Sequence, residues 1–290
     1  MAIELDRLQK PLRKLRKSLK NLSKDPPPEA VHKLRTRARQ IESIAPALTP
    51  SEEKKTRRLL KSIKPVRKAA GGVRDMDVLT GNALSLPKNA HSASLARLIA
   101  LLETMREESA DALLDTVSEK RKPARHLLKQ YSRLVEASFN GKRNGNGKPD
   151  GKSKGNQKES GRQAISSDQP VQAAIHALTG ELSGWPALDE ENIHPFRLKV
   201  KELRSILQLF PSSDAGAVAA LGKVKDRIGE WHDWQQLAQF ARHALDRDID
   251  RPLLDQIDEV GAQKLKQALA AANALRRRYL QSANLNGKSR

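Results

Sequence analysis

One amphipathic helix pattern occurs twice in the chain, beginning at Val31 and again at Ile193. In the first copy, VHKLRTRARQIESIAPAL, apolar residues recur at intervals of three and four, and the second copy, IHPFRLKVKELRSILQLF, keeps these intervals. Apolar residues at this spacing form one face of an α-helix, which has to be buried against other helices. Because no segment alternates convincingly like a strand, the sequence predicts an all-α, helical-bundle fold.

A second pair of motifs indicates an internal duplication. GGVRDMDVL, from Gly71, is similar to GEWHDWQQL, from Gly229, and the pairing aligns Asp75 with Asp233. Two correspondences in the same order are difficult to produce by chance, so we predict two related helical halves. Within this motif we expect Asp75 to lie near a helix N-terminus and to pair with Arg74 or a basic neighbour.

A segment poor in apolar residues separates the two halves. Residues 140–169 are rich in Gly, Asn, Lys and Ser, so they cannot offset the entropy of ordering by burial. We therefore predict a first half over residues 1–139, a flexible linker over 140–169 and a second half over 170–285. Helices are predicted from Leu5 to Leu22, from Glu29 to Ala45, after Ser51, and around 91–118, 121–139, 171–183, 193–210, 214–231, 233–246 and 251–282.

Basic side chains follow one face of the duplicated helix. His32, Arg35 and Arg39 are three and four residues apart, so they form one stripe along the helix. At about 100° per residue the stripe lies beside the apolar face, where it can line a groove between bundles. The second copy repeats the stripe with His194, Arg197, Lys201 and Arg204.

Other helices carry basic rows at the same spacing, within a chain of 54 Lys and Arg against 34 Asp and Glu. Like charges stacked along a helix repel by a few tenths of a kcal/mol per pair, so several rows indicate an anionic ligand, whereas one isolated row indicates only a solvated face. The candidate anion-binding residues are His32, Arg35, Arg39, Arg57, Lys61, Lys64, Lys68, Arg125, Lys129, His194, Arg197, Lys201, Arg204, Lys223 and Arg227.

Several classes of protein do not fit this sequence. It has no cysteine, which excludes disulfides, thiolate-zinc sites and a cysteine nucleophile. No apolar run approaches the length of a membrane span, so a cytoplasmic protein is expected. Neither a phosphate-binding glycine loop nor a nucleophile elbow is present, so we predict no catalytic residue and no cofactor. The histidines lack the spacing of metal ligands on one helix, so no metal site is predicted.

The motifs resemble the CHAD domain, the conserved histidine α-helical domain. The matching segments are VHKLRTRAR at Val31, GGVRDMDVL at Gly71, IHPFRLKVKELR at Ile193 and IGEWHDWQQL at Ile228. This resemblance covers nearly the whole chain outside the linker. It implies two helical bundles related by a pseudo-twofold axis, with basic helices around a central groove or pore.

The resemblance also implies a function. It points to binding of inorganic polyphosphate and to association with polyphosphate granules, with polyphosphate-metabolising enzymes as further partners. It assigns phosphate contacts to His32, Arg35, Arg39, His194, Arg197 and Lys201. The second half departs from the first in having Lys201 where Arg39 stands.

Two other functions and two roles for the histidines stay open. A nucleic-acid backbone would satisfy the same basic rows, although an aromatic content of 3% disfavours base stacking. A metal-dependent phosphate hydrolase would need acidic ligands, for which only Asp75, Asp77 and Asp233 are suggestive. His32 and His194 either donate a hydrogen bond to phosphate or pack at a helix interface.

Overall fold

A computed structural model describes residues 5–48, 52–87, 92–144, 169–208 and 214–280 of the chain. Its regular secondary structure is helical throughout these ranges, which confirms the all-α prediction. The helices are α1 (Leu5–Lys20), α2 (Pro28–Leu48), α3 (Glu53–Leu84), α4 (Ser92–Asn144), α5 (Gln169–Ser183), α6 (Ile193–Leu207), α7 (Ala215–Ala244) and α8 (Arg251–Leu275), and a π-helical turn (Arg276–Leu280) continues α8. Of the predicted linker, residues 145–168 lie outside the described residues.

Two predicted helix breaks are wrong. Helix α4 runs without interruption through residues 119 and 120, and α7 runs through residue 232. Pro123 lies inside α4 but is exposed, so the backbone groups that it leaves unpaired can be solvated. In α7 the polar pair at 232 and 233 resembled a helix end, but buried residues on both sides of it stabilise one continuous helix.

The chain forms two compact units. Unit 1 comprises residues 1–81 and 99–155, and unit 2 comprises residues 82–98 and 156–290. In unit 1 the apolar frame of α2 is fully buried, as its helical spacing predicts: Val31, Leu34, Ala38, Ile41 and Ala45. These side chains pack in one core with apolar residues of α1, α3 and α4. Burial of this apolar area from water is the main force that stabilises the bundle.

Neighbouring helices of unit 1 are also connected by polar side chains. Arg37 of α2 donates to the Lys14 carbonyl of α1 at 3.3 Å, and Glu42 of α2 pairs with Arg67 of α3 at 2.8 Å. Asp77 of α3 pairs with Arg106 of α4 at 2.8 Å, and Ser132 of α4 donates to Gln9 of α1 at 3.0 Å. The four helices therefore form a closed bundle in the order α1, α2, α3, α4.

Unit 2 has a separate core. The frame of α6 is buried as predicted over Ile193, Phe196, Val200 and Leu203. It packs with apolar residues of α5, α7, α8 and the π-helical turn. Arg276, at the start of that turn, donates to the carbonyls of Pro186 and Ser183 at 3.0 and 3.2 Å. This arginine fixes the end of α8 to the chain that leaves α5.

The buried hydroxyl of Tyr131 provides a test of the unit 1 core. It donates a 2.6 Å hydrogen bond to the Ala45 carbonyl of α2. Tyr131→Phe leaves that carbonyl without this donor, so we expect the free energy of unfolding to fall by about 1 kcal/mol. Urea denaturation followed by circular dichroism measures the change. Tyr279→Phe, in unit 2, is the control, and an equal loss in both variants would contradict the role of this bond.

Candidate polyanion-binding site

In unit 2 the basic stripe of α6 lies directly against α7. Arg197 donates a 3.0 Å hydrogen bond from Nε to the Lys225 carbonyl. Its guanidinium lies over Gly229, where an added Cβ atom would be 2.8 Å from a terminal nitrogen. Arg204 lies over Gly222 in the same manner, with Nε 3.2 Å from the position of a Cβ atom. The two glycines thus give the arginines room to lie flat on the backbone of α7.

These contacts follow one antiparallel register. His194 contacts His232, Arg197 contacts Gly229 and Arg204 contacts Gly222. Each step forward along α6 therefore corresponds to an equal step back along α7. Three residues of the predicted stripe, His194, Arg197 and Arg204, therefore lie along the seam between α6 and α7.

His194 packs within this seam. Its ring centroid is 4.7 Å from that of His232, and its Nδ1 is buried without a hydrogen-bond partner among the described residues. Burial lowers the pKa of His194, and the charges of His232, Arg197 and Lys201 lower it further. The neutral ring is therefore favoured, which supports the helix-interface interpretation of this histidine over a charged phosphate donor.

In unit 1, Arg35 takes the position that Arg197 takes in unit 2. Its Nη1 is 3.5 Å from the Asp75 carboxylate, and its Nε is 3.8 Å from the position of a Cβ atom on Gly71. For Arg197, burial lowers the pKa and attraction to Asp233 opposes the shift. In each unit, then, the arginine of the first motif faces the glycine and the aspartate of the second motif.

The predicted position of Asp75 near a helix N-terminus is wrong. Helix α3 continues through Gly71 and ends at Leu84, so Asp75 lies in the helix interior. Its carboxylate pairs with Arg35, a basic neighbour on α2. Residues next to each other in a helix point about 100° apart, whereas a long side chain from a neighbouring helix can reach the carboxylate.

A basic ridge on α3 borders a groove in unit 1. We define the α3 ridge as the exposed residues Arg58, Lys61, Lys64 and Lys68. They line a groove of about 650 Å³ between α3 and α4. None of them has an acidic side chain within ion-pair distance in the described part of the chain. The ridge therefore presents its full charge to the groove.

The α4 wall of this groove adds little negative charge. Its only acidic residue among the lining groups is Glu119, which pairs with the adjacent Lys120. A second cavity of about 370 Å³ shares Arg58 and Leu127 with the first and adds Arg133. The two cavities therefore lie next to each other along α3 and α4.

Other predicted residues lie outside this groove. Arg57 is exposed and pairs with Glu53 one turn earlier in α3. Arg125 and Lys129 lie on the flank of α4 that faces α1, as the position of Ser132 on the same flank shows. His32 and Arg39 are exposed on α2. The structure thus distributes the predicted residues of unit 1 over three faces of the bundle.

The predicted α7 residues of unit 2 also lie apart from the α6 stripe. Arg227 donates to Glu230 at 3.0 Å and to Gln267 of α8 at 3.4 Å, so it faces α8. Lys223, one turn earlier, is exposed on the same flank.

One ridge residue was not predicted. Arg58 follows Arg57 in the sequence, and a basic pair alone does not show which member has an acidic partner. The signal that distinguishes them is Glu53, which is four residues before Arg57 and therefore on its side of the helix.

Neither a metal site nor a membrane span is found in the described residues. No three His, Asp or Glu side chains there lie close enough together to hold a metal ion. No described helix is both long and apolar enough to cross a bilayer.

Comparison with known proteins identifies the family. A model of the CHAD domain matches residues 6–164, more than half of the chain. The chain belongs to the CHAD domain family. The CHAD match includes the Val31 and Gly71 motifs and, apart from Leu5, all of unit 1 that the structure describes, while the resemblance of the Ile193 and Ile228 segments stays a prediction. Searches of curated proteins and of solved structures find no significant match.

The close approach of Arg197 to Gly229 leads to a prediction about stability. Gly→Ala in a helix interior stabilises by about 0.5–1 kcal/mol where the methyl group fits. Gly261 of α8 has open space around it, so Gly261→Ala should show this gain. Gly229→Ala should not show this gain. It should be at least about 1 kcal/mol less stable than Gly261→Ala, because the methyl group displaces Arg197 from its hydrogen bond. Urea unfolding compares the two variants, and equal stabilities would contradict the packing described.

The lowered pKa of His194 predicts a pH dependence. Its value in the unfolded chain is the ordinary 6.5, so as pH falls through 6.5 the unfolded state takes up the proton first. The free energy of unfolding should keep its full value above this pH. It should decrease as the pH falls further, until His194 is protonated in the folded protein too. The urea midpoint at pH 7.5 and 5.5 measures the effect. His194→Asn should reduce the difference and His243→Asn, on the exposed side of α7, should not; the opposite pattern would exclude His194.

Proposed function

We propose that this CHAD protein binds inorganic polyphosphate without cleaving it. The α3 ridge carries the proposal, because Arg58, Lys61, Lys64 and Lys68 line one groove without acidic partners in the described residues. A linear polyanion requires a row of cations, not a single pocket. From residue 58 to residue 68 the ridge extends over about 15 Å of helix, at 1.5 Å per residue.

The local charge supports an anionic ligand. Residues 53–68 contain eight Lys or Arg and one Glu. Such a density of like charge opposes folding of the bundle unless counterions or a ligand compensate it. Three of the ridge residues are lysines, which act as mobile point charges and can follow a flexible chain of phosphates.

The environment of the groove supports a role in binding over catalysis. Phosphate hydrolysis with a divalent cation needs a group of carboxylates beside the phosphate. Glu119 is the one acidic residue that lines the groove between α3 and α4, and Lys120 pairs with it. None of the described residues that line the groove is an aromatic residue on which nucleobases could stack, which favours polyphosphate over single-stranded nucleic acid.

The paired arginine contacts support the internal duplication. Arg35 over Gly71 and Arg197 over Gly229 use residues that the two pairs of motifs align independently. This correspondence favours two related halves with a pseudo-twofold relationship, in which the second half contributes Lys201 and Arg204 to binding. A central groove between the halves belongs to the same proposal.

The proposed cellular role follows from the ligand. A non-catalytic polyphosphate binder would locate to polyphosphate granules in the cytoplasm and could meet polyphosphate-metabolising enzymes there. Neutral polymers should not bind, and other polyanions should bind according to their charge density.

Neutralising the α3 ridge tests the proposal. For the triple variant Lys61→Gln, Lys64→Gln, Lys68→Gln we expect long-chain polyphosphate to bind at least tenfold more weakly. The slope of log affinity against log salt should become shallower by roughly one per lost contact. Fluorescence anisotropy with labelled polyphosphate over a salt series measures both quantities.

The matched control removes the same charge elsewhere. Lys148→Gln, Lys152→Gln, Lys154→Gln changes three lysines outside the described residues and should weaken binding much less. An equal effect of the two triple variants would show that net charge, not the ridge, determines affinity. Equal or tighter binding of duplex DNA with the same total charge would replace polyphosphate by nucleic acid as the ligand.

A further inference from the structure

We propose a second phosphate-binding site in unit 1, on the opposite flank of α4 from the α3 ridge. We call it the arginine seam and define it by Arg16 of α1 and by Arg121 and Arg125 of α4. The ligand is a condensed phosphate, so this inference rests on the proposed function and extends it from one binding surface of unit 1 to two.

The direction of the two helices brings these arginines together. Ser132 donates to Gln9 at 3.0 Å near one end of α1, and Arg106 donates to the Pro26 carbonyl at 2.8 Å just beyond its other end. Helices α1 and α4 are therefore antiparallel. Arg16 is seven residues after Gln9 in α1, and Arg125 is seven residues before Ser132 in α4. Because the helices are antiparallel, these two arginines lie at the same level of the seam.

The next level repeats the pattern. Four residues after Arg16 is Lys20, and four residues before Arg125 is Arg121, at the same spacing along each helix. Intervals of seven and four keep side chains on one face, so all four cations are directed to the same flank.

The arginines of the seam lack the partners that other interhelical arginines have. In the described residues the Nε atoms of Arg16, Arg121 and Arg125 are buried and make no hydrogen bond. By contrast, Arg67 pairs with Glu42 between α2 and α3, and Arg106 pairs with Asp77 between α3 and α4. No described carboxylate lies within ion-pair distance of the seam arginines, so their charge is available to an anion.

The sequence on both sides of the seam supplies almost no acid. Helix α1 contains seven Lys or Arg and one acidic residue, Asp6, and residues 120–133 of α4 contain six Lys or Arg and no Asp or Glu. An oxyanion is the partner that balances this charge. The terminal N–H groups of a guanidinium can hold phosphate oxygens as a pair, so these groups, and not the buried Nε atoms, would bind the ligand.

The seam and the ridge are separate surfaces. Leu127 lies in the groove of the α3 ridge, and Arg125 is two residues, or about 160°, around α4 from it. A short polyphosphate therefore occupies one surface or the other, while a long chain can leave one protein and continue on the next. Unit 1 thus acts as a bivalent connector between polyphosphate chains.

Calorimetric titration with tripolyphosphate tests the seam. We expect Arg16→Gln with Arg125→Gln to bind one ligand fewer per chain than the wild type, and the triple ridge variant also to bind one fewer. Combining both sets should remove two. Lys17→Gln with Lys122→Gln takes the same charge from the exposed sides of the same helices and should keep every site.

Thermal unfolding distinguishes binding from a structural role. Without ligand the seam variant should be at least as stable as the wild type, because it loses like-charge repulsion and no hydrogen bond of these Nε atoms. A lower melting temperature without ligand would show that the arginines are structural and would overturn the site.

Failure of this inference differs from failure of the proposed function. If the wild type does not bind tripolyphosphate or long-chain polyphosphate, the proposed function is wrong. If the ridge variant loses a ligand and the seam variant retains all of them, only the seam is wrong. If duplex DNA displaces tripolyphosphate from the seam at equal charge concentration, the assignment to condensed phosphate is overturned.

Discussion

Arginine side chains that reach from one helix to the next determine how this strongly basic chain packs. Burial of apolar faces drives the helices of each bundle to pack together. Repulsion among eight Lys or Arg in residues 53–68 opposes this packing. At several helix contacts an arginine bonds a group on the neighbouring helix: Arg67 pairs with Glu42, and Arg197 donates to the Lys225 carbonyl. These contacts use positive charge to connect helices, so only the cations left over are available to a ligand. The α3 ridge is such a remainder.

This division changes how the stripe on the duplicated helix is understood. Arg35, His194 and Arg197 of the CHAD motif lie beside the apolar face, and that position brings them against the next helix. Arg35 and Arg197 are therefore partly engaged within the protein. Lysines on the solvent side of α3 have fewer such contacts and present more accessible charge. Our proposal therefore assigns the ligand to the ridge lysines, while the motif arginines hold neighbouring helices together.

Much of the fold, and less of the site, could be predicted from the sequence. Helical spacing correctly identified the buried residues of α2 and α6, because burial and periodicity are local properties of a single helix. The break predicted at residues 119 and 120 did not occur, because α4 continues as one helix through them and through the exposed Pro123. The pairing of Arg35 with Asp75 could not be predicted, because spacing gives the face of a helix but not its neighbour. For the same reason the sequence placed Arg125 in one candidate set with the lysines of the α3 ridge, although it lies on the flank of α4 that faces α1.

The glycines beneath the motif arginines have a consequence for how such a protein can change. Gly222 and Gly229 carry no charge, yet the position of a guanidinium on α6 depends on the absence of their side chains. Any larger residue at these positions would push a cation away from the α7 backbone and toward solvent. The position of a positive charge on α6 can therefore be altered by substitutions on α7 that neither add nor remove a charge. In this fold the reach of a cationic side chain depends partly on the neighbouring residue that makes room for it.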